Sequence, residues 1–394
     1  MSIAVRRALF VLAAAALTCV SASADPHAAV NQAAIMAADP PPRLAEYRLV
    51  LDDGANRWYF TVYAMSELDT DHVRYGLTDE SGKININIAT EEMLAAIPGM
   101  TPELIDALLD YRDSDSETRP TGAEQDYYDQ LPEPYLIRNG PFTTLAEVLL
   151  VKDFNATIVF GEDANMNGLL EPNEDDGDEN FPPDDNDGIL NPGLSALATT
   201  SATSPDIDAE GSPRVNINGR SRGLGNVGLP RETEQFIEQY RADGGRFAHP
   251  SQLLDMTHRI QNEDRRRGRR RGATISSGVG AAELPIVMDK LTTNPAAGRR
   301  PLPGLVNINT APAPVLALLP GIDATLARTI VETRYNLDPD TRANTAWLYT
   351  QGLVDADTFR TIAPMLTTRG NQFRVRVIGF GVPAGRYRII EAII

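Results

Sequence analysis

Apolar positions along this chain change period twice. Glu46 to Leu51, Arg57 to Met65 and Val73 to Leu77 are short β-prone runs, separated by Asp52-Asp53-Gly54 and by an Asp/Glu-rich turn, so they predict antiparallel strands. Phe373 to Phe380 and Arg386 to Ile394 repeat that character at the far end, joined across Pro383-Ala384-Gly385 as a hairpin. Between the two ends the apolar residues fall at helical spacing instead: Met93, Leu94 and Ile97, then Leu104, Leu108 and Leu109, and later Val315, Leu316 and Leu319, then Leu326, Ile330 and Val331. The order predicts an α+β protein in which both chain ends build one antiparallel sheet around a large helical insertion.

The helical part repeats itself. Asn85-Ile86-Asn87 and Asn307-Ile308-Asn309 each open a unit; Asn85 to Gly99 is as long as Asn307 to Gly321, and Gly99 to Arg112 as long as Gly321 to Arg334. Thr90 and Thr310 stand where a first helix would start, with a hydroxyl to accept an unpaired first-turn N–H. Pro98-Gly99 and Pro320-Gly321 end that helix, and Thr101-Pro102 and Asp323 open a second. Each unit therefore reads as a helix-hairpin-helix. A third, abbreviated opening, Asn216-Ile217-Asn218, precedes the helical run Glu232 to Arg241, and Gly244-Gly245-Arg246-Phe247 leads into Leu253-Leu254 much as Asn139-Gly140-Pro141-Phe142 leads into Leu145, Val148 and Leu149. Repetition of this kind predicts stacked packing units.

One segment carries ligand chemistry. From Asp163 to Glu174, Asp163, Asn165 and Asn167 occupy positions 1, 3 and 5 of a twelve-residue calcium loop, Gly168 makes the bend at 6, Leu169 offers a carbonyl at 7, Glu171 stands at 9 and Glu174 is the bidentate carboxylate at 12. The expected cofactor is structural calcium; the plainer reading is a solvated acidic loop. Asp185-Asn186-Asp187-Gly188 repeats part of the pattern, with Pro183 at the first ligand position.

Composition narrows the rest. The 394 residues allow two or three domains, and 36 basic against 54 acidic side chains leave a net charge of −18, a poor balance for holding a phosphate backbone. Cys19 is the sole cysteine, which excludes an intrachain disulfide and a thiolate metal cluster. His27, His72, His249 and His258 have no neighbour at metal-ligand spacing, and no Gly-x-Ser-x-Gly or phosphate loop occurs, so no enzyme is expected. Residues 1–24 read as a signal peptide or an N-terminal membrane segment: Arg6-Arg7, an apolar stretch from Ala8 to Val20, then Ala22-Ser23-Ala24. The chain is accordingly expected in the periplasm or on the periplasmic face of the inner membrane. The remaining divisions are a linker over 25–43, the first part of the sheet over 44–84, helical domain with the first repeat over 85–160, the calcium-loop insertion over 161–194, a Ser/Thr/Ala/Pro-rich linker over 195–213, helical domain with the second full repeat over 214–369, and the last strands over 370–394. Arg265 to Arg271 is the one basic block, either a solvated loop or a docking point for an acidic partner or anionic head groups.

The succession Tyr75-Gly-Leu-Thr-Asp-Glu-Ser-Gly-Lys83, Asn85-Ile-Asn87, Ile97-Pro-Gly99, Asp126-Tyr-Tyr128, Leu131-Pro-Glu-Pro-Tyr135, Asn139-Gly-Pro-Phe142 and Val306-Asn-Ile-Asn-Thr-Ala311 resembles the minor pseudopilin K family of bacterial type II secretion systems, over roughly residues 46 to 394. The resemblance implies a pilin-like sheet with an inserted α-domain, calcium sites in that domain, no catalysis, and a place at the pseudopilus tip with the I- and J-type minor pseudopilins. The rival reading is an exported DNA-binding protein of the competence type, whose hairpins usually read Gly-Ile-Gly so that successive N–H groups converge on a phosphate. Here they read Gly99-Met100-Thr101 and Gly321-Ile322-Asp323, without the second glycine. Nucleic acid is therefore not an expected partner.

Overall fold

The computed structural model describes residues 48–65, 73–163, 170–177, 179–180, 182–219, 221–263, 270–383 and 386–394. The expected signal or membrane segment and the linker after it lie outside these residues. No helix among those described is long and apolar enough to cross a membrane.

The β-prone runs of the two ends meet in one antiparallel sheet. Arg48–Asp52 pairs with Arg57–Met65, which pairs with Phe373–Val382, which pairs with Tyr387–Ile393; Val73–Tyr75 and Thr78–Asp79 add to the same sheet. Val375 and Val377 are fully buried on one face, packed against Phe60, Val62, Leu77 and Ile394. This is a small core of its own. A second, far larger one runs from Ile84 to Leu366 and includes Leu108, Phe236, Trp347 and Phe359.

Within the large core the backbone closes on itself three times in the same manner. Ile84–Asn85 lies parallel to Ala198–Thr199, Val215–Asn216 to Leu291–Thr292, and Val306–Asn307 to Leu366–Thr367. Two-residue strands supply few ladder bonds, so side chains complete each closure. The first asparagine folds back on the second: Asn85, Asn216 and Asn307 accept through Oδ1 from the amides of Asn87, Asn218 and Asn309 at 3.0, 2.8 and 3.0 Å. The second asparagine reaches across the unit. Asn87 donates to the Phe142 carbonyl at 3.0 Å and accepts its amide at 2.7 Å, Asn218 does the same with Phe247 at 2.8 and 2.9 Å, and Asn309 donates to the Arg342 carbonyl at 2.9 Å. The threonines Thr200, Thr293 and Thr368 then donate to the carbonyls of Thr143, Ala248 and Ala343, one residue further on in each case. At about 1 kcal/mol per satisfied bond, these side chains add roughly 2–3 kcal/mol to each closure.

Several expectations change here. The unit opening at Asn216 is not abbreviated at its seam; it closes as fully as the other two. Residues 195–213 are not a free linker: they hold the strands Ala198–Thr199 and Thr203–Ser204, and Ala198, Ala202, Ser204 and Asp206 are buried, Ser204 hydrogen-bonded to Thr367 and Asp206 accepting from Thr292 in the other two closures. Arg270 and Arg271 stand in the strand Arg270–Ser276, which forms a hairpin with Thr257–Glu263, so part of the basic block is strand; residues 265–269 lie outside the described residues.

Each of the first and last units carries a short helix, a turn and a longer helix. In the first, Glu91–Ala95 is capped by Thr90, whose Oγ1 accepts from the Met93 amide at 3.2 Å, and Pro102–Arg112 is capped by Thr101. In the last, Ala313–Leu316 precedes Ala324–Asn336, which Asp323 caps through the Leu326 amide at 2.7 Å. The turns pass through Gly99 and Gly321 at φ +78° and +75°, a region where a side chain would be strained. Thr310, expected as a cap, is not one: the helix begins after Pro312, and the Thr310 hydroxyl donates instead to Asp79 Oδ2 at 2.9 Å. The closing arginines have a role that spacing alone does not disclose. Arg334, 1 % exposed, donates to the Ile308 and Ala311 carbonyls, and Arg112 donates to those of Ile86 and Ala89, tying the longer helix to the start of its own unit.

Candidate metal centre and its setting

The calcium-type loop begins just beyond the helix Ala156–Phe160, and its far end is the turn Pro172–Glu174. Asp163 and Glu174 are buried, 3 % and 1 % exposed, and Glu171 is half-buried; Asn165, Asn167 and Leu169 lie outside the described residues. Glu171 and Glu174 are brought together, the Glu171 amide donating to Glu174 Oε2 at 3.1 Å. Carboxylates at the first and last ligand positions, both withdrawn from water, are the hard oxygen donors that a divalent cation of the calcium class takes. When bound, the ion would tie position 1 to position 12. Asp163, Glu171 and Glu174 would hold it from the described side of the loop.

The neighbouring acidic segment does something different. Asp184 accepts from the amides of Asp176, Gly177 and Asn186 at 3.1, 2.9 and 2.8 Å, and these bonds keep its carboxyl ionised below the ordinary range although burial opposes them. Asp185 and Asp187 are exposed. The segment is thus ordered by its own backbone amides. Glu162, buried beside it, accepts from the Asn191 amide at 3.0 Å; burial first, then the charges of Asp185, Asp184 and Asp187, push its pKa up.

A second polar centre joins the two cores. Asp79 and Glu80 end the sheet strand Thr78–Asp79 and enter the helical part, and both are buried. Asp79 Oδ2 accepts from Asn307 Nδ2 at 2.7 Å and from Thr310, so it grips the last unit; burial outweighs these bonds and raises its pKa. Glu80 accepts two bonds from Arg374 of the C-terminal strand, at 2.7 and 3.2 Å, and one from Thr199 of the first unit. Burial alone would raise the Glu80 pKa, but the Arg374 hydrogen bonds and the Lys83 and Arg374 charges hold it below the usual carboxylate value. Spacing along the chain does not mark this pair as a junction. An acidic dipeptide at the end of a β-prone run was the available signal, as was the apolar-Thr-Thr triplet that recurs at Ala198-Thr199-Thr200, Leu291-Thr292-Thr293 and Leu366-Thr367-Thr368.

The helix pair of the first unit, the Asp126-Tyr-Tyr128 turn and the Asn87 to Phe142 brace lie in or beside residues 92–160, and that stretch matches the family model described as Type II secretion system (T2SS), protein K. The match extends over this region of the chain. The resemblance read from the sequence to minor pseudopilin K therefore stands on more than the quoted motifs, and the protein K helix pair is the one that Thr90 and Thr101 cap. Among solved structures, the chain is similar to the GspK-GspI-GspJ complex from the enterotoxigenic Escherichia coli type 2 secretion system, at 10% identity over 93% of this chain and 91% of that one, with a TM-score of 0.30. Curated proteins give no match.

Proposed function

We propose that the chain is a non-catalytic minor pseudopilin of type II secretion, placed at the pseudopilus tip with I- and J-type minor pseudopilins and acting in protein export across the outer membrane. The protein K match over residues 92–160 carries this reading. The two-ended sheet is the element suited to a pilin-like role, and the Asp79–Glu80 pair would transmit its position to the helical body. Calcium at Asp163, Asn165, Asn167, Leu169, Glu171 and Glu174 is part of the same proposal, as a structural ion. Calorimetry checks it: the protein should bind calcium in the extracellular affinity class, on the order of 10⁻⁴ to 10⁻³ M, and Glu174→Ala should lose that binding.

The repeated helix pairs are read as helix-hairpin-helix units used for packing rather than for DNA. At Gly321 a side chain would already touch Thr358 Cγ2 at 3.4 Å, and Ile322 is buried, so the second turn faces protein. Co-purification of the full chain with the I- and J-type pseudopilins of its own organism tests the assembly. Recovery of neither would sink it.

A further inference from the structure

We propose that the cavity between the second and third units binds a small neutral ligand, an apolar body that carries an amide or other carbonyl oxygen. The cavity measures about 340 Å³, and small-molecule pockets start at roughly 300 Å³. Leu291 to Asn294 bound it from the second closure and Leu366 to Thr368 from the third. Both walls are fixed before any ligand arrives, because the Thr293 and Thr368 hydroxyls already donate to the Ala248 and Ala343 carbonyls at 2.9 and 2.8 Å.

Two wall residues keep donors unused. Arg214 donates from Nε to the Asp289 carbonyl at 2.9 Å, while its terminal nitrogens make no hydrogen bond among the described residues; Asp206 Oδ1 stands 3.8 Å from Nη1, beyond hydrogen-bonding reach. His249 accepts through Nδ1 from the Ser251 amide at 3.3 Å, and a backbone N–H can only donate, so Nδ1 carries no proton. Burial first, then the Arg214 charge, hold the ring down to about 4, so it is neutral at pH 7 and its hydrogen sits on Nε2. Nε2 has no hydrogen-bond partner among the described residues, and neither it nor the Arg214 terminal nitrogens are sealed off by protein. Thr345, 5 % exposed and in the same wall, adds a buried hydroxyl without a hydrogen bond. Donors left unmade inside a protein are costly, and an acceptor placed among them offsets that cost.

Local charge decides against an anion. Arg214 lies 3.8 Å from Asp206, Arg369 3.4 Å from Asp289 and Lys290 3.0 Å from Asp208, so three cations already meet three buried carboxylates. A carboxylate brought into this group would be an unmatched charge, whereas a neutral carbonyl oxygen uses the same donors without one. The rest of the wall asks for an apolar body: Pro250, Met288, Leu302, Pro303, Leu305 and Pro364 line it. An apolar amino acid capped at both ends as amides has this chemistry. Bound there, it would touch both units and hold the second to the third.

The test titrates N-acetyl-leucine methylamide into the full chain labelled with ¹⁵N-histidine, following the His249 Nε2 resonance, which is identified by its loss in His249→Gln. The expected result is a saturating shift with a Kd on the order of 1 mM, the affinity class of so small a ligand. N-acetyl-leucine, which differs by its free carboxylate, should bind roughly tenfold more weakly, since Asp206 and Asp289 repel it. Leu305→Trp, which fills the cavity and leaves the donors in place, should abolish the shift while circular dichroism shows the fold intact. If that variant does not fold, Arg214→Lys replaces it, keeping the charge beside Asp206 but losing the planar fork, with an expected loss of about tenfold in affinity. No saturable shift up to tens of millimolar, equal or tighter binding of the carboxylate, or unchanged binding by the folded variant would each overturn the site. The outcome is independent of whether the chain captures I- and J-type pseudopilins.

Discussion

Breaking the ion pair between Glu80 and Arg374 should loosen the sheet from the helical body. The Glu80 side chain is fully buried and that of Arg374 is 22 % exposed, with Nε to Oε1 at 2.7 Å. At that distance and an effective dielectric near 20, the gross attraction is about 6 kcal/mol. Desolvation of Glu80 cancels part of it, and Arg374 keeps a second partner in Glu391, so we expect a coupling of about 2–4 kcal/mol between the two side chains. Single variants Glu80→Gln and Arg374→Met and the double variant, unfolded in urea under conditions where the transition is two-state, give that coupling as a double-mutant cycle. The sign of the pH dependence follows from the lowered Glu80 pKa. The stabilisation is present above the unfolded glutamate value and is lost as pH falls through the lower folded one. A coupling below about 0.5 kcal/mol would refute the view that this pair joins the two cores, since it would be no stronger than an exposed pair.

Arg334→Met should cost roughly 3 kcal/mol, because it leaves the buried Ile308 and Ala311 carbonyls without their charged donor; a loss under about 1 kcal/mol in denaturant titration would contradict that role. His249 is held down to about 4 by burial and then by the Arg214 charge. The unfolded ring, near 6.5, takes up a proton that the folded one refuses, so stability should fall as pH drops from 6.5 to 4, by up to roughly 3 kcal/mol. Melting curves of His249→Gln should lack that component, and an unchanged slope would disprove the assignment. Duplex DNA should bind no tighter than the non-specific range, about 10⁻⁴ to 10⁻⁶ M at physiological salt; submicromolar binding with a steep salt slope in a fluorescence titration would favour the competence-type reading.

The sequence by itself determined which residues could be strand and which helix, because period is a local property: alternation at both ends, helical spacing between. It also determined the repeat openings, since Asn-Ile-Asn and Pro-Gly each have a backbone reason that neighbours cannot alter. Thr101 and Asp323 cap as local chemistry predicts. Only tertiary structure decided what lies across a gap. Thr310 left its helix because Asp79, far off in sequence, offers a buried acceptor. Residues 195–213 looked like linker because small polar side chains signal solvent until a closing strand buries them. Glu80, Arg374 and the asparagine braces to Phe142 and Phe247 depend on partners brought together by folding, and no spacing rule along the chain encodes those distances.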